Sequence, residues 1–245
     1  MRASEREARD FLSRRSFTVL FSGGKDSLAA LLWVLENVPH SNWDVLYIEV
    51  TGNTHPRCTA YVGEICAELG ILDRLGVARR VDLDFFECIG RWGLPLIGKW
   101  RWCLWQFKVR VMRRRSRPVQ VAGIKRSDSY RRRTAKPVEY YKQSGFVVVS
   151  PLLEWSKAKV LDYIRERGVR LNPCYALYGH SGNCMFCPYH DRKKVVLTLR
   201  DPEWREKILS ALARVKRGGR LVEEKKRLWL SAAREVGMEA FIRAR

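Results

Sequence analysis

Ser22-Gly23-Gly24-Lys25-Asp26-Ser27 is a run of residue types suited to holding a polyphosphate. Two glycines let a backbone come close to an anion with no Cβ in the way, and leave N–H groups free to point at it. Ser22 and Ser27 offer hydroxyl donors, Lys25 a point charge, and Asp26 a carboxylate able to hold Mg2+. The run follows Phe17-Thr18-Val19-Leu20-Phe21, which reads as a buried strand, and leads into the apolar segment 27–35, which reads as a helix. Strand, glycine turn and helix N-terminus together aim amides and a positive dipole end at an anion. The spacing is not the Walker one, which places four residues between the first glycine and Gly-Lys-Ser/Thr. A plain serine–glycine turn capping a helix is the alternative; the flanking strand and helix favour nucleotide binding.

The second chemical group is sulfur. Of the seven cysteines, Cys184 and Cys187 stand in Cys184-Met185-Phe186-Cys187-Pro188, with Gly182 just before them. Two thiols separated by two residues reach one metal from a tight turn. Cys174 lies upstream in a loop as a third ligand, and Cys103, in Arg101-Trp102-Cys103-Leu104-Trp105, is the fourth that folding would bring in. An iron–sulfur site (4Fe-4S) is expected ahead of zinc. A zinc site using His180 or His190, or histidines with no role, stay open. A thioredoxin-like redox pair is disfavoured, because no strand precedes this CxxC. Cys66 and Cys88 read as buried thiols, and Cys58, beside His55 and Pro56, as a possible sulfur carrier. An odd number of cysteines argues against a disulfide framework.

Positioning these groups requires alternating strands and helices. Segment 45–50 reads as a strand ending at Thr51-Gly52, 59–69 as a helix, 77–83 as a strand and 99–112 as an aromatic-rich helix. Segments 119–123 and 146–149 read as strands, the second stopped by Ser150-Pro151, and 157–167 as a helix. The implied fold class is α/β: a doubly wound, mostly parallel, Rossmann-like sheet covered on both faces. In such sheets ligands sit beyond the carboxyl ends of the strands. That rim collects the 22–27 loop, the Thr51-Gly52 turn and the Gly123 turn. A soft boundary falls at residue 168, giving a nucleotide-binding domain over 1–168, then a cysteine-rich segment and basic helical tail over 169–245. Trp92, Trp100, Trp102 and Trp105 would pack a core or a homodimer interface, or stack bases.

Charge adds a partner. The 245 residues hold 47 Lys and Arg against 26 Asp and Glu, a formal +21. That excess favours a polyanion through counterion release. It is concentrated in Arg110, Arg113, Arg114, Arg115 and Arg117, in Lys125, Arg126, Arg131, Arg132, Arg133 and Lys136, and in the tail from Arg192. Heat adaptation would add both signs, and here the acids do not keep pace. A nucleic acid, tRNA or DNA, is the expected partner. No apolar run nears the roughly 20 residues of a membrane span, and the charged N-terminus lacks a signal peptide's apolar centre, so a cytoplasmic location is expected.

Taken in order along the chain, these motifs resemble the phosphoadenosine phosphosulfate (PAPS) reductase family of the ATP pyrophosphatases. The loop is similar to that superfamily's SGGxDS. It is followed by Thr51-Gly52 with Tyr61-Val62, Arg101-Trp102-Cys103 with Lys108, and Gly123-Ile124-Lys125 with Asp128, Ser129 and Arg132. Then come Ser150-Pro151-Leu152-Leu153-Glu154-Trp155, Val160-Leu161-Asp162-Tyr163-Ile164, and Asn172-Pro173-Cys174-Tyr175 running to the CxxC. The resemblance implies ATP cleavage between the α- and β-phosphates. Ser22, Gly23, Gly24, Lys25 and Ser27 would hold the phosphates and Asp26 the Mg2+, with Lys25 and Asp26 as the catalytic pair. Thr51, Gly52, Gly123, Lys125 and Arg132 would complete the nucleotide and substrate contacts.

The departures steer the reaction. The family's reductases carry a catalytic cysteine near the C-terminus, and this chain has none after Cys187. Cys103 is followed by Leu104, so the adjacent cysteine pair of cluster-bearing reductases is absent, and Val50 replaces an acid expected before Thr51. The four-cysteine pattern is similar to that of DNA phosphorothioation enzymes and tRNA thiolases. The expectation is therefore an AMP- and pyrophosphate-forming sulfurtransferase that thiolates a nucleic acid, fed by sulfide or a sulfur donor protein. An adenylyl sulfate or PAPS reductase, and a nucleic-acid-binding module with structural zinc, are the rivals.

Overall fold

A computed structural model of the chain describes residues 2–97, 101–216 and 219–243. Helix α1 (Ala3–Leu12) leads to β1 (Phe17–Leu20), α2 (Lys25–Asn37), β2 (Trp43–Glu49), α3 (Pro56–Glu68), β3 (Leu75–Arg79) and α4 (Phe85–Trp92). Next come α5 (Trp102–Leu104), a π turn (Trp105–Val109) and α6 (Arg110–Arg115), which together make one irregular helix. Strand β4 (Val119–Val121), the hairpin β5 (Val138–Tyr141) and β6 (Phe146–Val149), and helix α7 (Lys157–Glu166) complete the sheet layer. Helices α8 (Cys174–Tyr178), α9 (Arg192–Leu199), α10 (Pro202–Ala213) and α11 (Arg220–Arg243) follow.

The sheet order is β3-β2-β1-β4-β6-β5. Every neighbouring pair is parallel except β5 with β6. This is the expected α/β, mostly parallel, Rossmann-like fold. Strands β1 and β4 are largely buried on both faces, Thr18 and Gln120 included, because helices cover both. From β1 the chain first winds outward through β2 and β3, and then returns to β4 on the other side. The carboxyl ends of β1 and β4 therefore flank a switch-point crevice.

One close approach fixes that crevice. A Cβ on Gly123 would lie 2.2 Å from the backbone oxygen of Asp26 and 2.8 Å from the amide nitrogen of Ser27. Only glycine lets the exit of β4 pass the first turn of α2. Helix α2 starts at Gly24 with no side-chain cap, and Ser27 to Val34 are buried beneath the sheet. Gly24 therefore leaves the first-turn amides without an N-cap side chain at the crevice, and the Lys25 amide meets Tyr175 Oη instead.

The strand expected over 77–83 instead ends at Arg79, and Val81 is 82% exposed. Its partner β2 stops at Glu49, paired with Arg79, so nothing remains beyond it to accept the ladder. The helix expected over 99–112 is described from Trp102 and runs to Arg115; Lys99 and Trp100 lie outside the described residues. Helices α1 and α4 and strand β5 were not anticipated. Helix α4 begins where the Asp84 carboxylate accepts from the amides of Phe86 (2.8 Å) and Glu87 (3.2 Å), a local N-cap. Helices α9 to α11 join the sheet's apolar core, with Trp229 buried and stacked on Phe186 at 4.6 Å. No helix among the described residues is long and apolar enough to cross a membrane.

Gly123→Ala should cost about 1–3 kcal/mol, the range for forced overpacking, because the contact it meets is backbone. Thermal unfolding should show a lowered midpoint, and ATP affinity should fall with it.

Candidate functional site

The switch point opens into a cleft of about 570 Å³ lined by Ser22, Gly24, Asp26 and Ser27 of the loop, Gly123, Asp128 and Arg132 of the β4 exit, and Lys108, Tyr175, Ser181 and Asn183. The loop is held in shape internally. The Ser22 amide donates to Ser27 Oγ (3.1 Å), and Ser27 Oγ donates to the Gly24 carbonyl (2.9 Å). Gly23 takes φ +73°, and a Cβ there would sit 2.8 Å from Cys58 Sγ. The Lys25 amide donates to Tyr175 Oη at 3.1 Å.

Charge alternates along one chain of contacts. Lys25 Nζ and Lys125 Nζ each lie 2.6 Å from an oxygen of Asp26. Lys125 also reaches Asp128 at 2.8 Å, and Arg132 Nη1 reaches Asp128 at 2.7 Å. The Lys125 side chain is only 3% exposed, so burial makes this pairing matter more than a surface ion pair. Burial pushes the Asp128 carboxyl up, but hydrogen bonds from the Lys125 side chain and amide outweigh it and hold the group below its usual range. Both oxygens of Asp26 therefore face ammonium groups.

A second, smaller cavity of about 50 Å³ lies behind the cleft, lined by Cys103, Cys184, Cys187, Arg101, Phe186 and Tyr189. Leu104 and Lys108 line both spaces. Lys108 Nζ donates to Asn183 Oδ1 (3.1 Å). Its ammonium is held above the usual lysine range, chiefly by electrostatic interaction with the neighbouring Cys184. Burial pushes the Cys103 and Cys187 thiols up.

Hydrogen bonds bring the CxxC loop here. Asn53 donates to the Phe186 carbonyl (2.9 Å) and accepts from its amide (2.7 Å), while the Met185 amide donates to the Asn53 carbonyl (2.8 Å). Thr54 Oγ1 donates to the Asn183 carbonyl (2.9 Å), and Asn183 Nδ2 to that of Ile48 (3.1 Å). Asn172 Nδ2 donates to the carbonyls of Gly23 (3.0 Å) and Ser181 (2.9 Å), and its Oδ1 accepts from the Cys174 amide (2.9 Å). Asn53 and Asn183 carry no catalytic residue type, and their only sequence signal is a place within the motifs.

Three soft thiols beside a cation suit a thiophilic metal, because the metal stabilises the thiolates that burial disfavours. The arrangement is not closed: among the described residues no group of three or more His, Cys, Asp or Glu side chains is positioned to hold a metal ion. Cys174 stands apart from the other three thiols. It is fully buried, and a Cβ on Gly182 would lie 2.8 Å from its Sγ. His180 and His190 stack on each other at 4.1 Å, away from the cysteine cavity, and burial pushes them down to about 4 and about 2. Thr51 and Gly52 do not line the cleft. Thr51 Oγ1 donates to the Arg80 carbonyl, and Gly52, at φ +81°, packs against Asp84. Trp102 is core, set edge-on to Trp92 at 5.4 Å, while Trp105 is 37% exposed. Cys66 and Cys88 are buried, as expected.

The sequence profile of the phosphoadenosine phosphosulfate reductase domain matches residues 16–188, which takes in the loop, the Gly123 turn and the CxxC. The chain belongs to this family. An uncharacterized protein of Methanocaldococcus jannaschii is 25% identical over 184 residues, covering 71% of this chain and 36% of that protein. The chain thus spans about a third of that relative's length. Among solved structures, the PAPS reductase of Candida auris in its phosphate complex is similar at TM-score 0.48 and 19% identity, covering 71% of this chain and 90% of that one. The U34-tRNA thiolase NcsA of Methanococcus maripaludis, with its 4Fe-4S cluster, is similar at TM-score 0.45 and 15% identity, covering 96% and 78%.

Cys58 is fully buried against Gly23, and burial pushes its thiol up to about 12. A raised thiol stays protonated at pH 8, and the thiolate is the nucleophile. Native protein treated with iodoacetamide at pH 8 should therefore carry no label at Cys58, with labelling appearing only on unfolding. Mass spectrometry of peptides would read this, and rapid native labelling would restore Cys58 as a sulfur carrier.

Proposed function

We propose that the protein is an ATP-dependent sulfurtransferase that adenylates a nucleic acid, releases pyrophosphate, and exchanges the AMP for sulfur. The observation that carries this reading is the shared wall: Leu104 and Lys108 line both the phosphate-loop cleft and the cavity of Cys103, Cys184 and Cys187. Activation and sulfur delivery then occur on two sides of one lysine.

In this reading the loop amides, Ser22, Ser27 and the start of α2 cradle the β- and γ-phosphates. Lys25 and Lys125 leave Asp26 for phosphate oxygens, and Asp26 takes the Mg2+ that arrives with ATP. Arg132, at the cleft, holds the α-phosphate or the substrate. An oxygen of the nucleic acid attacks the α-phosphorus, and the bond to the β-phosphate oxygen breaks, so pyrophosphate leaves. Sulfide, free or delivered at the sulfide level by a donor protein, then bonds to the activated substrate atom, and AMP departs with the former substrate oxygen. No net oxidation occurs. Lys108 holds the incoming anionic sulfur. Cys103, Cys184 and Cys187 would hold an iron–sulfur cluster, which supplies a binding place for sulfur when present.

Purified protein given ATP, Mg2+, sulfide and bulk tRNA or DNA should release pyrophosphate above background and yield a thiolated nucleoside by mass spectrometry. Asp26→Ala should lower pyrophosphate release by about a hundredfold or more, since it removes the carboxylate that would hold the Mg2+ neutralising the leaving pyrophosphate. Tight nucleic-acid binding with no pyrophosphate release would leave a binding module instead.

Anaerobically purified protein should absorb broadly near ~400 nm with iron matched by sulfide, and Cys187→Ser should remove the band. A colourless protein with one zinc would make the three thiols structural.

A further inference from the structure

The sequence places Arg110, Arg113, Arg114, Arg115 and Arg117 in one basic cluster, but folding divides them. Arg113 donates to the carbonyls of Gln143 (2.8 Å) and Ser144 (3.2 Å). Arg117 donates to Asp44 (2.7 Å) and Asn42 (2.8 Å). Those two are structural. Arg110, Arg114 and Arg115 are exposed, and among the described residues none of them forms a hydrogen bond or close ion pair within the protein. Arg110 and Arg114 are one helical turn apart, where like charges repel. The helix C-terminus favours cations there, and the carboxylate that the charge of Arg114 reaches, Asp82, is itself exposed.

These side chains line a groove of about 380 Å³ between α6 and the edge strand β3. Arg79 and Arg80 stand on its opposite side, and Asp82 is the single acid among the lining residues. Asp82 is itself tied to Arg80. The floor is apolar: Val77 is 54% and Val81 82% exposed, beside Ala78 and Val111. Uncompensated guanidiniums along an apolar floor match a sugar–phosphate strand, with forks for the phosphates and apolar surface for the sugars. The groove also points to the reaction site. Ala78 on its floor pairs in register with Ile48 in the cleft wall, one strand spacing or about 4.8 Å away. Val111 faces the groove and Met112 the cleft, packed in one small apolar cluster with Leu46 and Ala78.

We infer that the α6–β3 groove is the docking track for the phosphodiester backbone of the nucleic acid whose acceptor base or sugar enters the ATP cleft. This rests on the nucleic-acid reading proposed above. Arg110, Arg114 and Arg115 contact successive phosphates, and Arg79, paired with Glu49 at 3.3 Å, borders the far side.

The test compares three triple variants with wild type, using bulk tRNA and duplex DNA as probes. One variant carries Arg110→Gln, Arg114→Gln and Arg115→Gln, and a second carries Lys at the same three positions. The third carries Lys142→Gln, Lys157→Gln and Lys193→Gln, an equal charge loss at exposed lysines that line neither cavity. The groove Gln variant should bind at least about tenfold more weakly near 0.1 M salt, and the slope of log affinity against log salt should shrink by about 3. The Lys variant should keep most of the affinity, and the control triple should stay near wild type. ATP affinity should be unchanged in all three, which also reports folding. Equal losses in the groove and control variants, or no loss in the groove variant while wild type binds, would overturn the groove and leave the sulfurtransferase reading standing. Failure of wild type to bind either probe would overturn both.

Discussion

The buried side chain of Asn172 is the interaction on which the arrangement turns. Its amide donates to carbonyls on the phosphate loop and on the segment leading to the CxxC, while its oxygen accepts from the Cys174 amide. Three backbone groups of two distant chain segments would otherwise be buried without partners, at about 1–3 kcal/mol each. Asn53 does the same for the other end of the cysteine loop, through Phe186 and Met185. Two neutral amides, rather than charged groups, thereby lock the cysteine loop against the strand ends.

That lock sets the electrostatics. Asn183, held on the Ile48 carbonyl, accepts from Lys108 and so aims its ammonium between two spaces. On the other side, Asp26 and Asp128 hold Lys125 extended inside the protein. The paired carboxylates offset the mutual repulsion of the cations gathered at the cleft.

The same economy explains the outer surface. The arginines after the π turn divide because Arg113 and Arg117 meet carbonyls and an acid from neighbouring loops, while Arg110, Arg114 and Arg115 project over an edge strand where Asp82, tied to Arg80, is the one lining acid. A net charge of +21 alone says that a polyanion is welcome; only its distribution gives it a direction.

The nucleotide half was legible in the residues. The 22–27 loop between an apolar strand and an apolar helix, and the glycine at 123, depend on local backbone geometry, and local geometry is written in consecutive residues. The parallel sheet followed from the alternation of apolar segments. Strand β3 was misplaced because its extent depends on where β2 stops, and β5 was missed because it pairs only locally with β6 at a sheet edge. Helix α4 carried a legible cap, Asp84. Which cysteines meet was beyond the sequence: Cys174 fits the spacing as well as Cys103 does, yet its thiol packs behind Gly182 while Cys103 joins the CxxC cavity. Spacing along the chain fixes which groups are available, but long-range packing decides which of them share a cavity.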